Sequence, residues 1–320
     1  MKNLGTWSRS NGKNKKHEAF QTRFVLANQH DADGNMTCFK ARLVAQGINQ
    51  VPGRDFDETW APVPNAATTR SLFAVAAATG WEVHHVDVNT AFFNAKMDEE
   101  MYIKLPDGVD PKGLVEICRL NLALYGTKQA GWLLGMKLDK ELMEMGAVGS
   151  KVDQCLYKWC HSVHGRFFIL VYVDELIVAG EKLDGVEAFQ RFASAKFEVR
   201  DMGEVMDFAG MKVMRNQTAK TLTLSNPGHT DKLLKAFVMD KATPNKTSMA
   251  SGVKLTKKRA GLLPDGNRYT ELVSSLLYLS TTTRPDIAFS AGVLSRFMSC
   301  PEEDHLRTAK GGLALPAREK

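Results

Sequence analysis

Cysteine is scarce and unpatterned. Cys38, Cys118, Cys155, Cys160 and Cys300 are five in number, odd and scattered. Such usage carries no disulfide framework and points to a reducing compartment. The chain also lacks any apolar run near the ~18–20 residues that a membrane span requires. No apolar stretch follows Met1 as a secretory signal would demand. Neither phosphate-cradling G-x-x-x-x-G-K-[ST] nor dinucleotide-binding G-x-G-x-x-G occurs, so nucleotide chemistry of those two kinds is excluded. No internal repeat or low-complexity tract stands out. The expectation is a protein of the cytoplasm, or of the nucleus, neither secreted nor embedded in a membrane.

What is present is ordinary in amount and uneven in placement. A chain of 320 residues buries a large core and suggests roughly two domains. Hydrophobic content of 44% and charged content of 24% belong to a globular protein. The net charge is +6, and residues 1–54 carry nine Lys/Arg against three acids, so the remainder is neutral. A basic segment on a neutral body fits contact with a polyanion, and it equally fits a solvated tail.

Hydrophobic periodicity divides the chain into mixed elements. Residues 1–20 are polar, basic and aperiodic, and are expected to be disordered. Strands are expected at 22–29 and 37–46, around a glycine-bearing turn at 30–35. On the second strand Lys40 and Arg42 alternate onto one face, where two cations can hold a phosphate chain. An alanine-rich helix spans 66–79, ended by Gly80, and a strand at 82–88 carries Asp87. Short strands follow at 101–104 and 115–119, then a helix at 132–145 and strands at 155–159 and 166–173. A helix at 186–195 and a strand pair at 205–214 and 220–225 come next. Asn226-Pro227 opens a helix with Lys232 and Lys235 exposed. Residues 241–266 read as a linker. Helices are expected at 269–281, at 286–298 and from about 302, the last dissolving near 315–317.

The chemistry concentrates at Phe167 to Ala179. A continuous β-branched and aromatic run meets Asp174 and Glu175 and then resumes. This is a buried strand pair with Val173-Asp174 at its turn. An ordinary solvated turn would look the same locally. Asp87 stands at the end of another apolar strand. Carboxylates gathered at a sheet edge repel one another unless divalent cations neutralise them. Oxygen-only donors suit Mg²⁺ or Mn²⁺, and two such ions are the usual device for in-line phosphoryl transfer. His84 and His85 lie beside Asp87, and alternation allows at most one onto its face. Cys155, Cys160, His161 and His164 fit no finger spacing.

The ordered motifs resemble the reverse transcriptase region of Ty1/copia-type retrotransposon polyproteins. They are Lys40-Ala41-Arg42-Leu43-Val44-Ala45-Gln46-Gly47, Asp57-Glu58-Thr59-Trp60-Ala61-Pro62-Val63, Val86-Asp87-Val88-Asn89-Thr90-Ala91-Phe92-Phe93-Asn94, Ala123 to Ala130, Val171-Tyr172-Val173-Asp174 and Asp201-Met202-Gly203-Glu204. The resemblance covers about residues 22–312. It implies an α+β right-hand polymerase: fingers and palm over 21–215, a thumb-like region and linker over 216–260, and a truncated connection over 261–320 toward a missing ribonuclease H domain. It also implies an RNA-directed DNA polymerase using two Mg²⁺ or Mn²⁺ ions, a primed RNA or DNA template and dNTPs. By resemblance Asp87, Asp174 and Glu175 are the catalytic, metal-holding acids. Lys40, Arg42, Phe92, Gln129 and Tyr172 line the nucleotide, with Phe92 closing the pocket against a 2′-hydroxyl. Gly203, Lys232 and Lys235 meet primer and template.

The sequence also departs from the family pattern. Glu175 stands where the family has aspartate, and Trp132 occupies the stretch where an arginine is expected. Ser248 replaces a proline, and Gly312-Leu313-Ala314-Leu315-Pro316 replaces a conserved-type Arg-Tyr-Leu. Two expectations follow: a polymerase impaired at Glu175, or a nucleic-acid-binding relic without activity.

Overall fold

The computed structural model describes residues 5–10, 19–30, 36–106, 109, 117–243, 245–257 and 262–314. The chain forms two compact units, residues 1–76 with 80–204, and residues 205–320 with 77–79.

The first unit holds β1 (Trp7–Arg9), β2 (Phe20–His30), β3 (Met36–Ala45), α1 (Ala66–Thr79), β4 (Glu82–Val88), β5 (Tyr102–Lys104), β6 (Ile117–Leu120), α2 (Ala130–Glu144), β7 (Val148–Gly149), β8 (Leu156–His161), β9 (Gly165–Tyr172), β10 (Glu175–Gly180), α3 (Leu183–Lys196) and β11 (Val199–Glu204). Asn65 caps α1 by accepting from the Ala67 amide, and Gly80 ends it at φ 74°, a conformation cheap only for glycine. Two sheets result, in the orders β1-β6-β5-β2-β3 and β11-β4-β10-β9-β8-β7.

The six-stranded sheet is the platform. Val86, Val88, Ile169, Val171, Leu176 and Val178 form its core face, packed with Leu134, Leu138 and Leu142 of α2 and Val186, Phe189 and Ala193 of α3. These helix positions recur every three or four residues, as one buried stripe requires. The strands are apolar on both faces, so Val83, Leu170 and Ile177 on the opposite face are also fully buried.

The second unit holds β12 (Asp207–Phe208), β13 (Met211–Asn216), β14 (Thr221–Ser225), α4 (Pro227–Ala236), α5 (Gly266–Thr282), α6 (Ala288–Ser295) and α7 (Glu303–Leu313). Its helices pack around Tyr269, Leu272, Leu276, Leu279, Leu294 and Leu313. The buried Tyr269 hydroxyl donates to the Leu294 carbonyl at 2.8 Å, which satisfies a polar group that would otherwise be costly in the core.

Several expectations change. Of residues 1–20 only 5–10, 19 and 20 are described, and there β1 pairs with β6, Trp7 opposite Leu120, and Trp7 packs on a buried cluster. A strand of three residues is too short to show periodicity. Residues 199–204 form an edge strand that polar residues concealed. The strand expected at 205–214 breaks at Ala209-Gly210, both at positive φ, into a tight hairpin. The compact unit ends at Glu204 rather than near 215. The stretch read as a linker joins the second core through Met249, Leu255 and Leu263, and the Asn245 amide donates to the Ala314 carbonyl at 3.3 Å. The turn at 31–35 and the dissolving end at 315–317 lie outside the described residues.

α2 and α3 are tied by a nearly buried carboxylate. Glu141 pairs with Lys137 one turn away and with Lys196 at 2.8 Å. Hydrogen bonds from Lys137 and Lys196 hold its carboxyl below the usual range. A depressed carboxylate stabilises the fold above its unfolded pKa and loses that contribution as pH falls through the folded value. Glu141→Gln is therefore expected to lower urea-unfolding stability at pH 7, with the gap to the native chain closing as pH falls below about 4.

Candidate active site

The register of the platform assembles a row of polar side chains. Asp87 on β4 faces Glu175 on β10, Glu175 faces Tyr172 on β9, and Arg200 on β11 faces Asp87. Directly opposed residues share a face, so Arg200, Asp87, Glu175 and Tyr172 line one edge away from the α2–α3 core. Asp174 projects from the two-residue turn between β9 and β10. Its carbonyl accepts the Val88 amide at 2.8 Å, which staples the turn to the strand bearing Asp87. Val173 takes φ 57° in that turn, a strained conformation for a β-branched residue.

The electrostatics agree with this proximity. Burial pushes the Asp174 carboxyl up, Asp87 pushes it further, and Arg42 and Lys40 pull it down. Asp87, Arg42 and Lys40 thus all lie within electrostatic reach of Asp174, although Asp87 and Asp174 are 87 residues apart in sequence. Among the described residues no group of three or more His, Cys, Asp or Glu is closed into a metal-ready set. The fitting donor set is the Asp87–Asp174 pair, since Mg²⁺ commonly takes one or two carboxylates and completes its shell with water and substrate phosphates. The mutual repulsion and desolvation at Asp174 are what a cation would relieve.

The cations arrive by way of a glycine clasp. The Ala45 amide donates to Tyr125 at 2.8 Å and the Gly47 amide to Gly126 at 3.1 Å. A Cβ on Gly126, which sits at φ 87°, would lie 2.1 Å from the Ala45 carbonyl oxygen, and one on Gly47 would lie 2.1 Å from that of Gly126. Both positions demand glycine for close backbone approach. The clasp fixes the end of β3, and Lys40 and Arg42 alternate back along it.

Tyr125 itself was not singled out in the sequence. Its ring meets Phe92 edge-on at 4.7 Å and Phe93 at 5.9 Å, and the Arg42 guanidinium lies 5.7 Å from its centroid. Burial, then Asp174, raise its phenol above the ordinary value against the pull of Arg42, so it stays protonated. Phe92 sits on a 3₁₀ turn (Ala91–Asn94) entered through Thr90 at φ 48°.

The remaining sequence candidates fall elsewhere. Gln129 is fully buried. Its oxygen accepts from Gln50 at 2.8 Å, and its nitrogen donates to the Asp55 carbonyl at 3.0 Å and to Asp98 at 3.4 Å. Its amide braces the 46–56 loop against the start of α2 rather than facing a pocket. Gly203 lies at φ 76° beside an irregularity of β11. Lys232 and Lys235 are exposed on α4, in the second unit. His85 shares the Asp87 face and His84 the opposite one, and the buried His85 Nε2 has no hydrogen-bond partner among the described residues. Burial pushes the Cys155 thiol up to about 12, His161 Nδ1 accepts backbone amides, and among the described residues these side chains do not gather into a metal-ready group.

A family model described as reverse transcriptase (RNA-dependent DNA polymerase) matches residues 6–251. The chain belongs to this family. It is of the Ty1/copia type. Over 295 residues it is 33% identical to the retrovirus-related Pol polyprotein from transposon TNT 1-94 of Nicotiana tabacum, covering 90% of this chain and 22% of that one. Over 291 residues it is 34% identical to the corresponding polyprotein from transposon RE2 of Arabidopsis thaliana, covering 90% and 20%. The chain thus spans about a fifth of these relatives. A solved structure of the foamy viral protease-reverse transcriptase in complex with double-stranded DNA aligns with a TM-score of 0.49 at 10% identity, over 99% of this chain and 46% of that one. Among the described residues, no helix is long and apolar enough to cross a membrane.

Two outcomes are expected. Gly126→Ala should cost at least about 2 kcal/mol in chemical unfolding, since it combines a left-handed backbone with a backbone clash. Asp174→Asn should raise the melting temperature near pH 8, because an acid with a raised folded pKa destabilises above that pKa. The difference should vanish well below pH 4, where the native carboxyl is protonated in both states.

Proposed function

We propose that this chain is the polymerase core of a copia-type retroelement, extending a primer on an RNA or DNA template with dNTPs. The observation that carries this reading is that Asp87, Arg42 and Lys40 all lie within electrostatic reach of Asp174. Fingers and palm correspond to the first unit. A thumb-like region falls within 216–260, and the residues beyond 261 form the connection.

In this reading Asp87 and Asp174 would hold the divalent cations, with Glu175 beside them as a further acid on the paired strand. Bound there, such ions lower the pKa of the primer 3′-hydroxyl and neutralise charge on the phosphates. Lys40 and Arg42 neutralise and orient the triphosphate, whose α-phosphorus accepts the 3′-oxygen as the bond to pyrophosphate breaks. Phe92 closes the sugar side, so a 2′-hydroxyl meets a ring. Tyr172 and Gly203 lie on the nucleotide and primer sides, with Arg200 as a further cation beside Asp87. Lys232 and Lys235 contact duplex phosphates without reading sequence. Gln129 supports the nucleotide pocket through the 46–56 loop.

Glu175 favours a second reading, a nucleic-acid-binding relic. Its extra methylene displaces the carboxylate by ~1.5 Å, and misplacements of that order cost roughly 100-fold in rate. Primer extension on poly(rA)/oligo(dT) with Mg²⁺ or Mn²⁺ separates the two. Weak extension by the native chain, raised at least about tenfold by Glu175→Asp, supports an impaired polymerase. Equal extension by both proteins removes the impairment. Binding of primer-template with no extension by either protein leaves the relic.

A further inference from the structure

We propose that Tyr125 is the positioning residue that couples the two ends of the nucleotide pocket, its ring bracing Phe92 at the sugar and carrying Arg42 at the triphosphate. The inference rests on the reading of this site as a nucleotide pocket.

Phe92 does not stand on a sheet. It hangs on a single 3₁₀ turn after Thr90, so its backbone alone does not hold the ring. A gate that rejects one oxygen must not yield, because a shift of a few tenths of an ångström opens room for a hydroxyl. The rings that resist such a shift are its neighbours. Tyr125 meets Phe92 in the T-shaped geometry that aromatic quadrupoles favour, 4.7 Å between centroids at 77°. Phe92 also packs, with Met97 and Trp132, against Ala95, Ala123, Ala130 and Leu133, and against the platform core.

Arg42 has the converse problem. Its side chain is long, and each freely rotating bond lowers the fraction of time that its charge is aimed. The Tyr125 ring offers a flat surface for the guanidinium, 5.7 Å away, and cation–π attraction to that face restricts it. One side chain therefore touches both neighbours, Phe92 through a T-shaped ring contact and Arg42 through the ring and the phenol oxygen.

Tyr125 is itself placed by backbone as well as by packing of its ring on the cluster that includes Phe93, Leu120 and Leu124. Its carbonyl accepts the Ala45 amide, and the adjoining Gly126 carbonyl accepts the Gly47 amide. The Thr127 hydroxyl donates to the Leu124 carbonyl at 2.8 Å, closing the turn. Replacing the Tyr125 side chain leaves all of these bonds available, so its removal tests the coupling rather than the turn.

The experiment measures equilibrium binding of dTTP and of ribothymidine triphosphate to the chain on poly(rA) with a dideoxy-terminated oligo(dT) primer, with Mg²⁺. Termination prevents chemistry, so an impaired turnover does not matter. Tyr125→Leu is expected to weaken dTTP binding about tenfold and to reduce the preference for dTTP over its ribose form by about tenfold, the scale of a lost packing contact in a specificity pocket. Tyr125→Phe, which keeps the ring, is expected to restore the preference. In an Arg42→Gln background, Tyr125→Leu should still reduce the preference but should add less to the dTTP dissociation constant than it does alone. Circular dichroism checks that each variant is folded. If Tyr125→Leu does not fold, the same preference is read with Tyr125→Met, and the Arg42→Gln cycle with it.

Unchanged preference in a folded Leu or Met variant overturns the proposal while leaving the pocket intact. Full additivity with Arg42→Gln also overturns it. If the native complex binds neither nucleotide, the pocket reading itself fails and the proposal falls with it.

Discussion

Everything at the candidate site depends on one strand register, β4 against β10. Pairing Asp87 with Glu175 places two acids side by side, and the adjoining turn adds Asp174. Like charges so close are unfavourable, and partial burial makes them more so. The sheet tolerates the arrangement because the apolar strands on either side are heavily packed, so the register cannot slip by one residue without turning Val86 and Val88 out of the core. Stability in the core holds strain at the edge. Val173 in its left-handed conformation and the raised Asp174 carboxyl are two signs of the same arrangement.

A second constraint brings the opposite charge to that edge. Gly47 and Gly126 come from different motifs, yet a side chain on Gly47 would strike the Gly126 carbonyl and one on Gly126 would strike the carbonyl of Ala45. Their contact anchors β3, so Lys40 and Arg42 extend from a fixed point. The same contact delivers Tyr125 between Arg42 and Phe92. Lys40, Arg42, Phe92 and the carboxylates are therefore arranged largely by backbone hydrogen bonds and glycine. Electrostatic preorganisation of that kind requires no rearrangement at the moment of reaction.

Much of this was legible in the sequence. The strand ending at Asp87, the hairpin around Val173-Asp174, the alternation of Lys40 and Arg42 and the helix ends at Gly80 and Asn226 all follow from local pattern. Other features were not. β11 is polar on its exposed edge and lacks the alternation that would reveal it, so Arg200 went unnoticed. β1 is too short. Gln129 reads locally as a polar residue opening a helix, and nothing nearby tells that Gln50, Asp55 and Asp98 occupy its amide.

The sequence by itself determined the elements, the family and the residue types available to the site, because those depend on periodicity of two or 3.6 residues and on motifs a few residues long. Tertiary structure alone decided which of these residues meet. It turned Gln129 inward, and made Tyr125 the neighbour of both Arg42 and Phe92. The physical reason is distance along the chain. Contacts between segments tens of residues apart are selected by the burial of whole strand and helix faces, and no local pattern encodes which partner each face will find.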